Sequence, residues 1–151
     1  FLAITAYAKA IELDPDDPDA YFNRGSTYGE NCSFDESIAD YSKVLRMDPN
    51  HALSYYGRGT SFVYQGKYDS AIADFSAAIR IDPYMAEAYL HRALAYEQQG
   101  MPEQALADCN VVIEIDPLDS KAFALRAAAY KQLGEADCSE ADREKAVELG
   151  F

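Results

Sequence analysis

The stretch Ile79-Arg80-Ile81-Asp82-Pro83 decides the fold, because the chain contains it four times over. Its counterparts are Ile11-Glu12-Leu13-Asp14-Pro15, Leu45-Arg46-Met47-Asp48-Pro49 and Ile113-Glu114-Ile115-Asp116-Pro117, with prolines at 15, 49, 83 and 117, one unvarying interval. A further copy starts at Val147-Glu148-Leu149-Gly150 and has Phe151 where proline would stand. A period held so rigidly is the signature of a repeat architecture. Proline cannot continue a helix and pushes the residue before it out of the α region, so each Asp-Pro ends a helix. Upstream of each, apolar residues recur at helical spacing, as Ile4, Tyr7, Ala8 and Ile11 do. The pattern predicts helices near 1–13, 18–31 and 35–47, 52–65 and 68–81, 86–99 and 102–115, and 120–133 and 136–149. Gly66, Gly100 and Gly134 fall between the paired helices at one phase, where a left-handed cap suits a residue without a β-carbon. The first full repeat has Asn31-Cys32 there, which predicts a looser or differently built turn.

The 151 residues suffice for a single domain, spanning 1–151, with apolar residues at 49%. Thirteen Lys and Arg against 26 Asp and Glu give a net charge of −13. That charge repels phosphate backbones and anionic lipid, so neither nucleic acid nor membrane fits as a partner. No apolar run reaches the ~20 residues needed to cross a bilayer. Three cysteines, at 32, 109 and 138, lack metal-site spacing and favour a reducing, cytoplasmic setting. The opening on Phe1, inside a helical pattern, reads as a segment of a longer chain.

Aligned on the prolines, the units resemble tetratricopeptide repeats. The residues carrying the resemblance are Tyr21, Gly25, Tyr28, Ser37, Tyr41, Val44 and Pro49; then Tyr55, Gly59, Phe62, Ala71, Phe75, Ala78 and Pro83. Next come Tyr89, Ala93, Tyr96, Ala105, Cys109, Val112 and Pro117, and last Phe123, Ala127, Tyr130, Ser139, Arg143 and Ala146. Residues 1–17 read as the second half of a repeat, followed by four repeats at 18–51, 52–85, 86–119 and 120–151. The resemblance implies an all-α, right-handed superhelical solenoid of helix-turn-helix units, since no unit can bury its apolar face alone. It implies a protein-interaction scaffold holding a peptide or helix in a concave groove lined by the first helix of each unit. By phase, that groove includes Phe22, Ser26, Tyr56, Thr60, Val63, Leu90, Leu94, Lys121, Ala124 and Lys131. The inner surface reads acidic, then apolar, then basic along the chain. Its partner is a protein or peptide with an apolar anchor, and a basic partner suits the overall charge. The lysines and asparagines with which some members clamp an acidic chaperone tail are missing; Phe22, Ser26, Gly57, Glu87 and His91 stand there instead.

One departure from the family pattern is systematic. Arg24, Arg58, Arg92 and Arg126 replace its leucine, and Asp40, Asp74, Asp108 and Asp142 recur in the second helices. Matched phases predict a structural ladder of ion pairs within each repeat, with pairing to the following repeat as the alternative. Such a ladder fixes register more than it stabilises.

No residue pattern asks for a cofactor, a metal or an enzyme's machinery. Asp14, Asp16, Asp17 and Asp19 lack the glycine and closing glutamate of a calcium loop, and helix capping accounts for them. His51 and His91 stand in different repeats with no nucleophile pattern near either. Cys109 takes a core aromatic's place, while Cys32 and Cys138 read as exposed thiols at turns. Asn31-Cys32-Ser33 is a glycosylation sequon only in a secreted chain. The last helix carries Glu140, Arg143, Glu144, Lys145 and Glu148, a polar face suited to a terminal cap. The first leaves Phe1, Leu2 and Ile4 uncovered, so self-assembly through that helix is the alternative function. A regulatory domain of a larger enzyme is a third.

Overall fold

The structure, a computed structural model, describes residues 2–151. Phe1, counted above on the uncovered first helix, lies outside the described residues. Among the described residues all regular structure is helical: α1 (Leu2–Leu13), α2 (Pro18–Glu30), α3 (Phe34–Met47), α4 (Ala52–Tyr64), α5 (Tyr68–Ile81), α6 (Ala86–Gln98), α7 (Pro102–Ile115), α8 (Ser120–Leu133) and α9 (Ala136–Glu148). The chain divides into two compact units, one ending at Asp82 and the other beginning at Pro83. The first holds the hairpins α2–α3 and α4–α5 with α1 against α2; the second holds α6–α7 and α8–α9.

Each Asp-Pro stop works through both of its residues. The aspartates at 48, 82 and 116 have extended backbones, with φ between −131 and −124, as the following proline requires. Each still donates its N–H to the carbonyl four residues back, closing the helix. The Asp48 and Asp116 carboxylates then accept the N–H of Asn50 at 2.9 Å and of Leu118 at 3.0 Å, forming Asx turns that start the next hairpin. The Asp14 carboxylate does the same for the Asp16 N–H at 3.2 Å. Asp17 caps α2 by accepting the Asp19 N–H at 3.0 Å.

The tight turns inside the hairpins are built alike, which corrects the expectation for the first one. Gly66, Gly100 and Gly134 have φ of 70, 69 and 81, and Cys32 has φ 59. The Cys32 N–H reaches the Gly29 carbonyl at 3.0 Å and the Ser33 N–H reaches Tyr28 at 2.9 Å, matching the 2.9 Å bonds of Gly66 to Val63 and Lys67 to Phe62. These two backbone hydrogen bonds hold the cysteine in a conformation its β-carbon resists. The Asn31 side chain helps by donating to the Thr27 carbonyl at 2.9 Å. Cys138, read above as lying at a turn, is an exposed residue in the first turn of α9.

The two units fill their interiors by different means. In the first, Tyr41 and Phe75 are the large buried rings, and glycines receive them. A β-carbon on Gly59 would stand 2.8 Å from the Phe75 ring, and one on Gly57 would overlap Tyr41 Cζ. In the second, Ala93, Ala105 and Ala129 enclose buried Cys109, and Leu125 packs against them. Large side chains meet glycine in one unit, and a small thiol meets alanine and leucine in the other, so both reach close packing.

Candidate functional site

The arginine ladder is a structural device. Each guanidinium makes two hydrogen bonds to the aspartate sixteen residues on, within its own hairpin: Arg24 with Asp40 at 2.7 and 2.8 Å, Arg58 with Asp74 at 2.7 and 2.8 Å, Arg92 with Asp108 at 2.7 Å twice, and Arg126 with Asp142 at 2.7 and 2.8 Å. Aromatic rings flank the cations: the Tyr21 and Tyr28 rings, for example, lie 5.6 Å and 5.9 Å from Arg24. The aspartate hydrogen bonds hold all four arginines above their ordinary range, against burial, which works the other way. A third donor links neighbouring hairpins: Arg58 Nη1 reaches Ser42 Oγ at 3.0 Å, and Arg126 Nη1 reaches Asn110 Oδ1 at 2.7 Å. With each guanidinium turned onto its own carboxylate, the arginines are neutralised inside their hairpins.

In the first unit, α2, α3 and α4 enclose a cleft of about 350 Å³ that brings together Phe22, Ser26, Tyr56 and Thr60. Phe34 and Tyr64 form one side, their rings parallel within 5° and 4.9 Å apart. Tyr41 and Gly57 form the floor. Burial pushes the Tyr41 phenol above its ordinary value; a hydrogen bond with Ser26 opposes this, and the charge of Glu30 at the cleft edge adds to it. Val63 is half-buried and does not line the cleft. Helical phase places it on the inner side of α4, but Tyr64 takes the wall beside Phe34.

In the second unit, Leu90, Leu94, Lys121 and Ala124 line a hollow of about 440 Å³ together with Leu125 and Phe151. Lys131 faces an adjoining depression between α8 and α9, lined also by Arg143 and Val147, which meets the hollow at Ala124, Ala128 and Phe151.

His51 has a role that the sequence reading passed over. Its Nδ1 accepts the Ser54 N–H at 3.2 Å and lies 2.9 Å from Ser54 Oγ. It therefore caps α4 as Asp17 caps α2 and Asp119 caps α8. Its ring also packs 5.1 Å from Phe22. The signal available was its phase, since His51 holds the place that Asp17 holds one repeat earlier. Among the described residues no group of three or more His, Cys, Asp or Glu could hold a metal ion, and no helix is long and apolar enough to cross a membrane.

Residues 26–85 and 56–120 match a family profile described as tetratricopeptide repeat, and residues 2–31 match a second described as TPR repeat. No curated protein matches the chain. Among solved structures, a crystal structure of MamA is similar at TM-score 0.93 and 26% identity, over 97% of this chain and 85% of that one. MamA 41-end from Desulfovibrio magneticus RS-1 aligns at TM-score 0.91 over 97% of this chain and 82% of its own; at 19% identity it shows the fold alone. The second TPR of Spaghetti (RPAP3), bound to the HSP90 peptide SRMEEVD, is 36% identical over 65% of this chain and 91% of its own, with TM-score 0.64.

Proposed function

The chain belongs to the tetratricopeptide-repeat family, and from that premise we propose that it is a protein-interaction scaffold whose inner helix faces hold a peptide or helix through an apolar anchor. The observation that carries this reading is the first unit's cleft, where Phe22, Tyr56 and Tyr64 surround a space next to solvent; Tyr64 is 70% exposed. Apolar side chains turned toward water in a concavity are characteristic of an interaction site. The hollow of the second unit, walled by Leu90 and Leu94, has the same chemistry. That a 36%-identical chain binds a short peptide supports a peptide as the occupant. The net charge of −13 favours a basic one.

The test is affinity capture with the wild-type chain beside a Tyr56→Ala, Leu90→Ala variant of unchanged helicity. Loss of the captured partner in the variant is expected. Equal capture by both would remove the inner faces from the function.

A second reading rests on α1. No described residue of this helix is buried, and Leu2 and Leu13, 91% and 78% exposed, give it an apolar face of the kind a second copy would cover. Light scattering over a range of concentrations separates the two, since self-assembly through α1 predicts a mass that grows with concentration and reverts to monomer in Leu2→Glu, Leu13→Glu.

A further inference from the structure

We propose that the first unit's cleft receives an arginine side chain of the partner, stacked between the aromatic walls with Glu30 as its counter-ion. This rests on the peptide-scaffold reading and specifies the group recognised there.

The walls are unusual in composition. Phe22, Phe34, Tyr41 and Tyr64 present ring surface around a single carboxylate, and among the described residues no cation lines the cleft. A purely aliphatic anchor would make no use of that carboxylate. An aromatic face attracts a cation through its quadrupole, and more strongly where water is excluded.

Elsewhere the same unit supplies such cations from its own sequence. Arg24 lies over Tyr21 and Tyr28, Arg58 over Tyr55, and Lys67 over Phe62. None of the chain's cations is placed over Phe22, Phe34, Tyr41 or Tyr64 among the described residues. The rings on the ladder side carry a cation from within, and those in the cleft leave that place to a partner.

Glu30 fits the counter-ion role. It is exposed, stands at the last turn of α2 and makes no hydrogen bond or ion pair among the described residues. It lines the cleft together with Tyr41, and its charge adds to the upward push of burial on that phenol. Ser26 and Thr60 line the same space. Thr60 donates its proton to the Tyr56 carbonyl at 2.9 Å, which leaves its lone pairs to accept. A guanidinium offers five donors in a plane, stacks on rings and sheds its hydration more readily than an ammonium, so arginine suits this mixture better than lysine. The net charge of −13 would draw a basic segment toward the chain.

The test uses a short fluorescein-labelled peptide with one arginine among alanine, leucine and serine, and three copies with citrulline, lysine or norleucine in its place. Each is titrated against the full chain by fluorescence anisotropy at low salt. Citrulline keeps arginine's shape and removes its charge. The arginine peptide should bind about tenfold tighter than the citrulline peptide, the combined size of an ion pair with Glu30, the larger part, and a partly exposed cation–π contact. Glu30→Gln should close most of that gap and leave norleucine binding unchanged. Equal binding of arginine and citrulline, or a gap that survives Glu30→Gln, overturns the proposal. Norleucine binding as tightly as arginine, and lost in Tyr56→Ala, would overturn it while leaving the scaffold reading standing. If no peptide binds, the proposal falls, and the capture experiment judges the scaffold reading separately.

Discussion

Replacing Gly57 with alanine sets two effects of opposite sign against each other. Gly57 lies inside α4. In a helix interior alanine is favoured over glycine by about 1 kcal/mol. An alanine β-carbon, however, would overlap Tyr41 Cζ and stand 2.7 Å from both Cε2 and Oη. Comfortable carbon contacts begin at ~3.5 Å, so the ring must retreat by about 1 Å. Tyr41 is only 6% exposed, its Cδ1 is already 3.5 Å from the β-carbon position of Gly25, and its ring stands 5.7 Å from Phe22. Overpacking of this kind costs about 1–3 kcal/mol; set against the helix gain of about 1 kcal/mol, it leaves a net loss of up to about 2 kcal/mol. The assay is urea unfolding followed by circular dichroism for Gly57→Ala, Tyr41→Leu and the double variant. Leucine lacks the Cζ, Cε2 and Oη atoms that collide. In the leucine background the sign should therefore invert, and Gly57→Ala should stabilise by up to about 1 kcal/mol. Stabilisation by Gly57→Ala alone, or the same penalty in both backgrounds, would refute the account of how this unit is packed.

Other expectations follow from the same geometry. Asp74→Asn leaves the Arg58 guanidinium facing a neutral group, with the arginine side chain 21% exposed. That partial exposure holds the loss to about 2 kcal/mol, below that of a fully buried pair, as read from denaturant midpoints. Cys32→Gly relieves a left-handed cysteine. It should stabilise by about 1 kcal/mol in the same assay. At mildly alkaline pH a thiol reagent should label Cys32 and Cys138 in the native chain and reach Cys109 only on unfolding, since burial pushes that thiol up to about 12. An acid whose value is raised by folding loses its proton first in the unfolded chain. Cys109 therefore contributes stability below the unfolded value of about 8.5, and that contribution disappears as pH rises from there toward 12. Cys109→Ala should flatten this part of a stability-against-pH curve.

Much of the fold was legible because the repeat enforces it locally. Asp-Pro dictates where a helix stops, apolar spacing dictates which face it buries, and Gly66, Gly100 and Gly134 mark the turns. The Arg–Asp positions could be named because a constant offset of sixteen residues places them alike in every hairpin. Local signals also misled. Cys32 in place of glycine predicts a looser or differently built turn, yet the turn's own hydrogen bonds hold it at φ 59. No nucleophile pattern surrounds His51, and its imidazole nitrogen serves as an aspartate cap would.

The sequence by itself determined the period, the helices and the chemistry repeated at each phase, since these depend on residues close together along the chain. The tertiary structure alone decided where space is left. That Tyr41 settles on Gly57 and leaves a cleft bounded by Phe22, Tyr56 and Glu30, while Val63 stays out of it, depends on the volumes of side chains brought together from α2, α3 and α4. Fit between two surfaces belongs to the pair of them, and neither helix's sequence specifies it until the other is in place.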